Sequence, residues 1–190
     1  MGPGRRTRCV ALVSLLICAP LVGRADDRAA SWYLNPYAGG ITPDKPWGSK
    51  GSAALYGLDV GLHLSPAWSA ELDLNYAPLS DRFGSGPIEL YAGALEVLRT
   101  FTFNRVLAPY VSLGTGVTHL APPSAIALER RTEFMVQPGV GALVNLWESG
   151  DRSRAVSLRP DIKVRWTHGW AHAPGNPVDL LYVLGLTLSL

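Results

Sequence analysis

The stretch Val178–Leu190 leaves this chain few ways to fold. Leu180, Tyr182, Leu184, Leu186, Leu188 and Leu190 recur at every second position, with Asp179, Gly185, Thr187 and Ser189 between them. A period of two is that of a β-strand, whose successive side chains point to opposite faces. One face is bulky and apolar along its whole length, whereas the other is small or polar at Asp179, Gly185, Thr187 and Ser189. A soluble sandwich can use such a strand, but a membrane-spanning β-barrel requires it, because lipid lies outside and small polar side chains line the lumen.

The other end of the chain supplies the route to a membrane. Arg5, Arg6 and Arg8 precede an apolar run from Val10 to Val22, broken by Ser14 and Pro20 and followed by Gly23-Arg24-Ala25. A basic start, an apolar segment too short to span a bilayer and small residues before a cut after Ala25 define a secretory signal peptide over residues 1–25. The expected mature domain is residues 26–190. Cys18 follows Leu16-Ile17 rather than a small residue, which argues against lipidation there. Cys9 and Cys18 both fall inside the signal, so the mature domain needs neither a disulfide nor a thiolate metal site. Removing Arg5, Arg6, Arg8 and Arg24 leaves 13 basic against 15 acidic residues, a balance that gives no reason to expect a nucleic-acid partner.

Period-two segments fill the mature domain. Trp32 to Ile41 reads as a strand, although Pro36 confuses its alternation. Ala54, Tyr56, Leu58, Val60, Leu62 and Leu64 alternate with Ala53, Gly57, Asp59, Gly61 and His63. Ser65-Pro66-Ala67 then turns the chain into Trp68, Ala70, Leu72, Leu74 and Tyr76, interleaved with Ser69, Glu71, Asp73 and Asn75. Ile88 to Phe101 has apolar residues at both parities; the favoured register points Tyr91, Leu95 and Val97 outward and Glu96 inward. Leu107 to Thr118, Glu133 to Leu146 and Val156 to Thr167 complete the set before the last strand, and Gly114 and Gly116 on the inner face of the first leave room for larger neighbours in a narrow barrel. The reading is eight antiparallel strands in an up-and-down barrel. Longer connections (42–51, 78–87, 119–131, 169–177) alternate with generally shorter ones (65–67, 102–106, 147–154), with both termini on the short-turn side. Trp32, Trp68, Tyr76, Trp166 and Tyr182 fall where an interfacial aromatic girdle is expected.

Several segments carry a resemblance. Trp32-Tyr33, Gly57-Leu58-Asp59-Val60-Gly61 with Trp68-Ser69-Ala70-Glu71-Leu72, Pro109-Tyr110-Val111-Ser112-Leu113-Gly114-Thr115-Gly116 and Pro138-Gly139-Val140-Gly141 stand in the order and spacing of the small eight-stranded outer-membrane barrels of Gram-negative bacteria. The chain resembles their OmpA-type transmembrane domain over essentially its whole mature length. The resemblance implies residence in the outer membrane, with outer-membrane lipid and lipopolysaccharide as surroundings. It also implies insertion by the barrel-assembly machinery through a C-terminal signal, here Gly185, Leu188 and Leu190, with Leu where the family usually ends in Phe or Trp. No peptidoglycan-binding domain is expected after the barrel.

The strongest polar constellation is the inward set Arg159, Asp161, Lys163 and Arg165 on the seventh strand, with Asp59, Glu71, Asp73, Glu96 and Asp179 from other strands. Opposite charges in a side-chain-filled lumen are expected to form a salt-bridged plug. An ion path gated by rearranging pairs is the alternative. Arg165-Trp166-Thr167-His168 followed by Asn176-Pro177 and Asp179 is similar to the end of the lipid A deacylases, which are also eight-stranded barrels. Those enzymes place a Ser nucleophile two residues after the His. Here that position is Trp170, and no Ser or Cys lies between His168 and Leu188, so no catalytic residue is assigned. His63, His119, His168 and His172 raise a metal site, but Gly169 and Pro174 make the region of the last pair a loop rather than a helix face, and no metal or cofactor is expected. Gly114-Thr115-Gly116 and Gly139-Val140-Gly141 fit strand interiors rather than phosphate loops. Trp47 and Trp170 are the loop aromatics that can meet lipopolysaccharide or a partner. The expected role is structural or surface-presenting, with a narrow channel and a lipid A hydrolase as the competing classes.

Overall fold

The computed structural model describes residues 31–43, 51–80, 86–104, 106–121, 130–150, 154–168 and 178–190. The proposed signal peptide, Trp47, Trp170, His172 and Asn176-Pro177 lie outside these residues. Eight strands follow in chain order: β1 (Ser31–Thr42), β2 (Ala53–Ser65), β3 (Trp68–Ser80), β4 (Pro87–Thr100), β5 (Leu107–Ala121), β6 (Arg131–Glu148), β7 (Ala155–His168) and β8 (Val178–Ser189). Each pairs antiparallel with the next, and β8 pairs with β1, so the sheet closes into a barrel. Followed once around the wall, the paired residues run Ser31, His63, Ser69, Leu98, Ser112, Gly139, Lys163, Leu181 and arrive back on β1 at Ile41. That stagger requires tilted strands, about 35–45° in barrels generally, and leaves an interior that side chains fill.

The alternation read from the sequence is the alternation of the wall. On β4, Tyr91, Leu95 and Val97 face outward while Glu96 is 1% exposed. On β7, Ile162 and Trp166 face outward and Arg159, Asp161, Lys163 and Arg165 face inward. Three strands run further than expected. β3 continues to Ser80, β5 to Ala121 and β6 to Glu148, so residues 81–86, rather than 78–87, join β3 to β4. Leu79 and Leu120, expected in loops, are buried inside the barrel. Pro78 is tolerated because the β2–β3 ladder reaches only as far as Tyr56–Tyr76, so its missing N–H removes no bond there.

The interior is layered. At the end with the longer connections, Ile41, Leu55, Ala77, Leu79, Ile88, Leu90, Leu120 and Leu181 form a buried apolar cluster. Beneath it the lumen is polar. Its glycines accommodate large partners directly across the strand: a Cβ at Gly61 would fall on the ring of Tyr33, and one at Gly57 on that of Tyr37.

Prolines mark two seams. The β1–β8 ladder stops at Leu34–Leu188 and resumes at Tyr37–Gly185, passing over Pro36. Apart from a register shift between Asn145 and Trp147, the β6–β7 ladder has two gaps, between Val136–Trp166 and Gly139–Lys163 at Pro138, and between Gly141–Asp161 and Val144–Leu158 at Pro160. Each interruption is what one absent backbone donor produces. Side chains cross two of the gaps inside the lumen. Thr187 Oγ1 donates to Asn35 Oδ1 at 3.1 Å, and Arg165 Nε donates to Gln137 Oε1 at 2.8 Å.

Candidate functional site

All nine charged residues singled out in the sequence lie inside the barrel, each at most 4% exposed. Their arrangement follows from the strands that carry them. All three cations sit on β7 at inward positions, and the acids that face them come chiefly from β2, β3 and β4, across the lumen.

Arg159 organises the half nearer the short turns. Its Nη1 and Nη2 donate to the two carboxylate oxygens of Glu71 at 2.8 and 2.7 Å, the forked pairing that a planar guanidinium favours. Its Nε donates to the Tyr110 hydroxyl at 2.7 Å, and Asp59 and Asp161 stand 3.5 and 3.6 Å away. Tyr33 adds a hydrogen bond to Glu71 at 2.8 Å, and Asn35 donates to Asp59 at 2.7 Å.

Lys163 organises the next level. Its Nζ lies 2.9 and 3.0 Å from the two oxygens of Glu96, 3.3 Å from Asp73 and 3.9 Å from Asp161. Gln137 ties the levels together, since its amide nitrogen donates to Glu96 and Asp73 while its oxygen accepts from Arg165. Arg165 also donates to Asn75 at 3.0 Å, and Asp179 is its register partner on β8. Tyr37 donates to Asp73. Three cations thus share a lumen with six carboxylates, and almost every charge has more than one partner, the condition under which buried charge is tolerated.

Charge in an inward register was readable from sequence. The phenols of Tyr33, Tyr37 and Tyr110 and the amides of Asn35 and Gln137 were not assigned to the site. The available signal was parity: Tyr33, Asn35 and Tyr37 share one face of β1, each tyrosine opposite a glycine of β2.

The remaining candidates lie elsewhere. Trp32 and Trp68 face outward at the turn end, and Tyr76, Trp166 and Tyr182 at the opposite end. Tyr56 and Tyr91 join this second belt, with the Tyr91 ring tilted against that of Tyr76 at 5.1 Å between centroids. Gly185 packs against Asn35, while Leu188 and Leu190 end the outer row of β8, and Leu190 N donates to Trp32 O at 2.9 Å. His168 is the exposed last residue of β7. The serine–histidine contact among the described residues is His63 Nδ1 to Ser69 Oγ at 2.9 Å, a cross-strand pair beside the Tyr33 ring. No group of three or more metal-ligating side chains comes together among the described residues.

A closed, staggered eight-stranded barrel with an apolar outer wall, two aromatic belts and a charged interior is a transmembrane β-barrel of the outer-membrane type. No protein-family model and no curated sequence matches the chain. Solved structures do share its fold. Neisserial surface protein A aligns with a TM-score of 0.65 at 13% identity, covering 84% of this chain and 98% of its own. The N-terminal barrel domain of Pseudomonas aeruginosa OprF gives 0.55 at 18% identity, covering 84% and 97%. The attachment invasion locus protein Ail of Yersinia pestis gives 0.51 at 12%, covering 86% and 99%.

Proposed function

We propose that this protein is exported to the outer membrane and acts there as a closed barrel that supports the envelope and presents outside the four connections at the end opposite its termini. The observation that carries this reading is the double closure of the lumen. The Arg159–Lys163–Arg165 network fills its middle, and the apolar cluster around Leu55, Leu79 and Leu181 fills the loop end. An ion crossing the barrel would have to leave water, displace paired charges and then pass through hydrocarbon side chains. Gly185, Leu188 and Leu190 are proposed to be read by the barrel-assembly machinery, and the outer aromatic belt to meet lipopolysaccharide.

Planar-bilayer recording of the purified protein tests this reading, with no stable unitary conductance expected. Channels that disappear on Arg165→Ala or Glu71→Ala would replace it with a gated pore. Lipid A isolated from expressing cells is expected to keep all its acyl chains; a chain lost with the wild type and restored by His168→Ala would make the protein a hydrolase.

A further inference from the structure

A glycine inside a strand weakens it, so each one needs a reason. For every other glycine on the described strands the reason is space, because a Cβ there would overlap a neighbouring atom. Gly93, on β4, is different. Its backbone is not left-handed, and a Cβ would meet Leu74 Cδ2 at 3.4 Å, an ordinary van der Waals distance. Gly93 shares its parity with Tyr91 and Leu95, so it leaves a hole in the lipid-facing wall rather than in the lumen. A strand glycine without a packing reason marks a place where another molecule approaches closely.

The hole has a built border. Tyr56, Tyr76, Tyr91 and His119 are successive register partners on β2, β3, β4 and β5, so they stand side by side near the loop end. The next outward row toward the middle of the wall is Leu58, Leu74, Gly93 and Val117. Both rows line one trough, with Gly93 at its floor. The four rings span three interstrand spacings, about 14 Å. His119 Nδ1 lies 2.9 Å from Thr132 Oγ1; where the threonine hydroxyl donates, the ring proton sits on Nε2, a donor beside the trough. The charged group that touches the ring row is an acid, since Tyr91 donates to Glu89 Oε2 at 2.9 Å. Such a row repels phosphate and suits neutral amide, ester and hydroxyl groups. A broad polar rim above an apolar floor therefore matches an acyl chain rooted through such groups on a headgroup wider than a single glycerol, which is the chemistry of lipid A.

We propose that this ring row and the trough over Gly93 bind one lipid A, with the root of an acyl chain against Tyr76, Tyr91 and His119 and its methylenes over Gly93. The site rests on the outer-membrane reading, which puts the loop end at the outer leaflet, where lipopolysaccharide is the lipid.

Native mass spectrometry of the full barrel in non-ionic detergent tests it, with lipid A, dephosphorylated lipid A and phosphatidylethanolamine as separate probes. Wild type is expected to keep one lipid A, with or without its phosphates, and to lose phosphatidylethanolamine under the same conditions. Gly93→Leu fills the trough and is expected to lower retention about tenfold. His119→Phe keeps a ring and removes the donor, and should lower it about threefold, the weight of one neutral hydrogen bond. Equal retention of phosphatidylethanolamine would reduce the site to a general tail groove, and loss of binding on dephosphorylation would move recognition to the phosphates; either overturns the proposal. Gel mobility without boiling separates the two readings. A Gly93→Leu barrel that still migrates as a folded species and keeps its lipid A refutes the site alone. A wild-type protein with no compact unboiled form refutes the membrane reading beneath it.

Discussion

Replacing Arg159 by Met should destabilise the barrel more than neutralising its main partner, Glu71. The reason is the imbalance of the lumen. Arg159 makes a forked pair with Glu71 and also stands 3.5 and 3.6 Å from Asp59 and Asp161. Removing it strips the nearest cation from three buried carboxylates and leaves six acids facing two bases. Breaking a buried pair from one side costs about 3–5 kcal/mol, and Arg159→Met belongs at the top of that range. Glu71→Gln leaves the guanidinium its contacts with Tyr110, Asp59 and Asp161, and it lowers the acid count from six to five. Its loss is that of charge assistance in two hydrogen bonds, about 1–2 kcal/mol. In the double variant the two losses should fall short of additive, since both remove one interaction. Equilibrium urea unfolding from lipid vesicles, followed by tryptophan fluorescence, measures all three. A Glu71→Gln loss equal to or larger than that of Arg159→Met would refute the view that Arg159 offsets several acids at once.

Three further outcomes follow from particular contacts. Pro36→Val returns a donor to the interrupted β1–β8 ladder, so the new amide should be protected in hydrogen exchange; free exchange would mean that proline is not what interrupts the pairing. Gly61→Val puts a side chain where the Tyr33 ring lies and should cost about 1–3 kcal/mol in urea unfolding, with part of the loss recovered on adding Tyr33→Ala. Leu79→Ala, in a residue that sequence alone places in a loop, should cost about 2–4 kcal/mol because the side chain is fully buried in the apolar cluster; a change under about 0.5 kcal/mol would place it outside the barrel.

How much of this was legible in the chain depended on contrast between the two faces of each strand. β7, and β2 and β8 away from Leu55, Leu181 and Val183, were readable because one face is apolar and the other polar, small or charged. The nine lumenal charges were readable for the same reason. Where the lumen itself turns apolar, contrast disappears. Ile88 and Leu90 point into the barrel while Tyr91 and Leu95 point to lipid, so the start of β4 shows no alternation. Leu79 and Leu120 ended their strands in the same apolar layer and read as loop. The tyrosines of the network were hidden by chemistry rather than position, because a phenol suits a membrane interface as well as a hydrogen-bonded lumen. Only the pairing of Tyr33 with Gly61 and of Tyr37 with Gly57 separates the two, and that pairing depends on register.

The most direct test of the closed, lipid-embedded barrel is heat modifiability of protein taken from the membrane fraction in mild detergent. The unboiled form should migrate ahead of the boiled one, and the protein should fractionate with the outer membrane. A soluble periplasmic protein with one mobility, boiled or not, would contradict the account and turn the alternating strands into a packed sandwich.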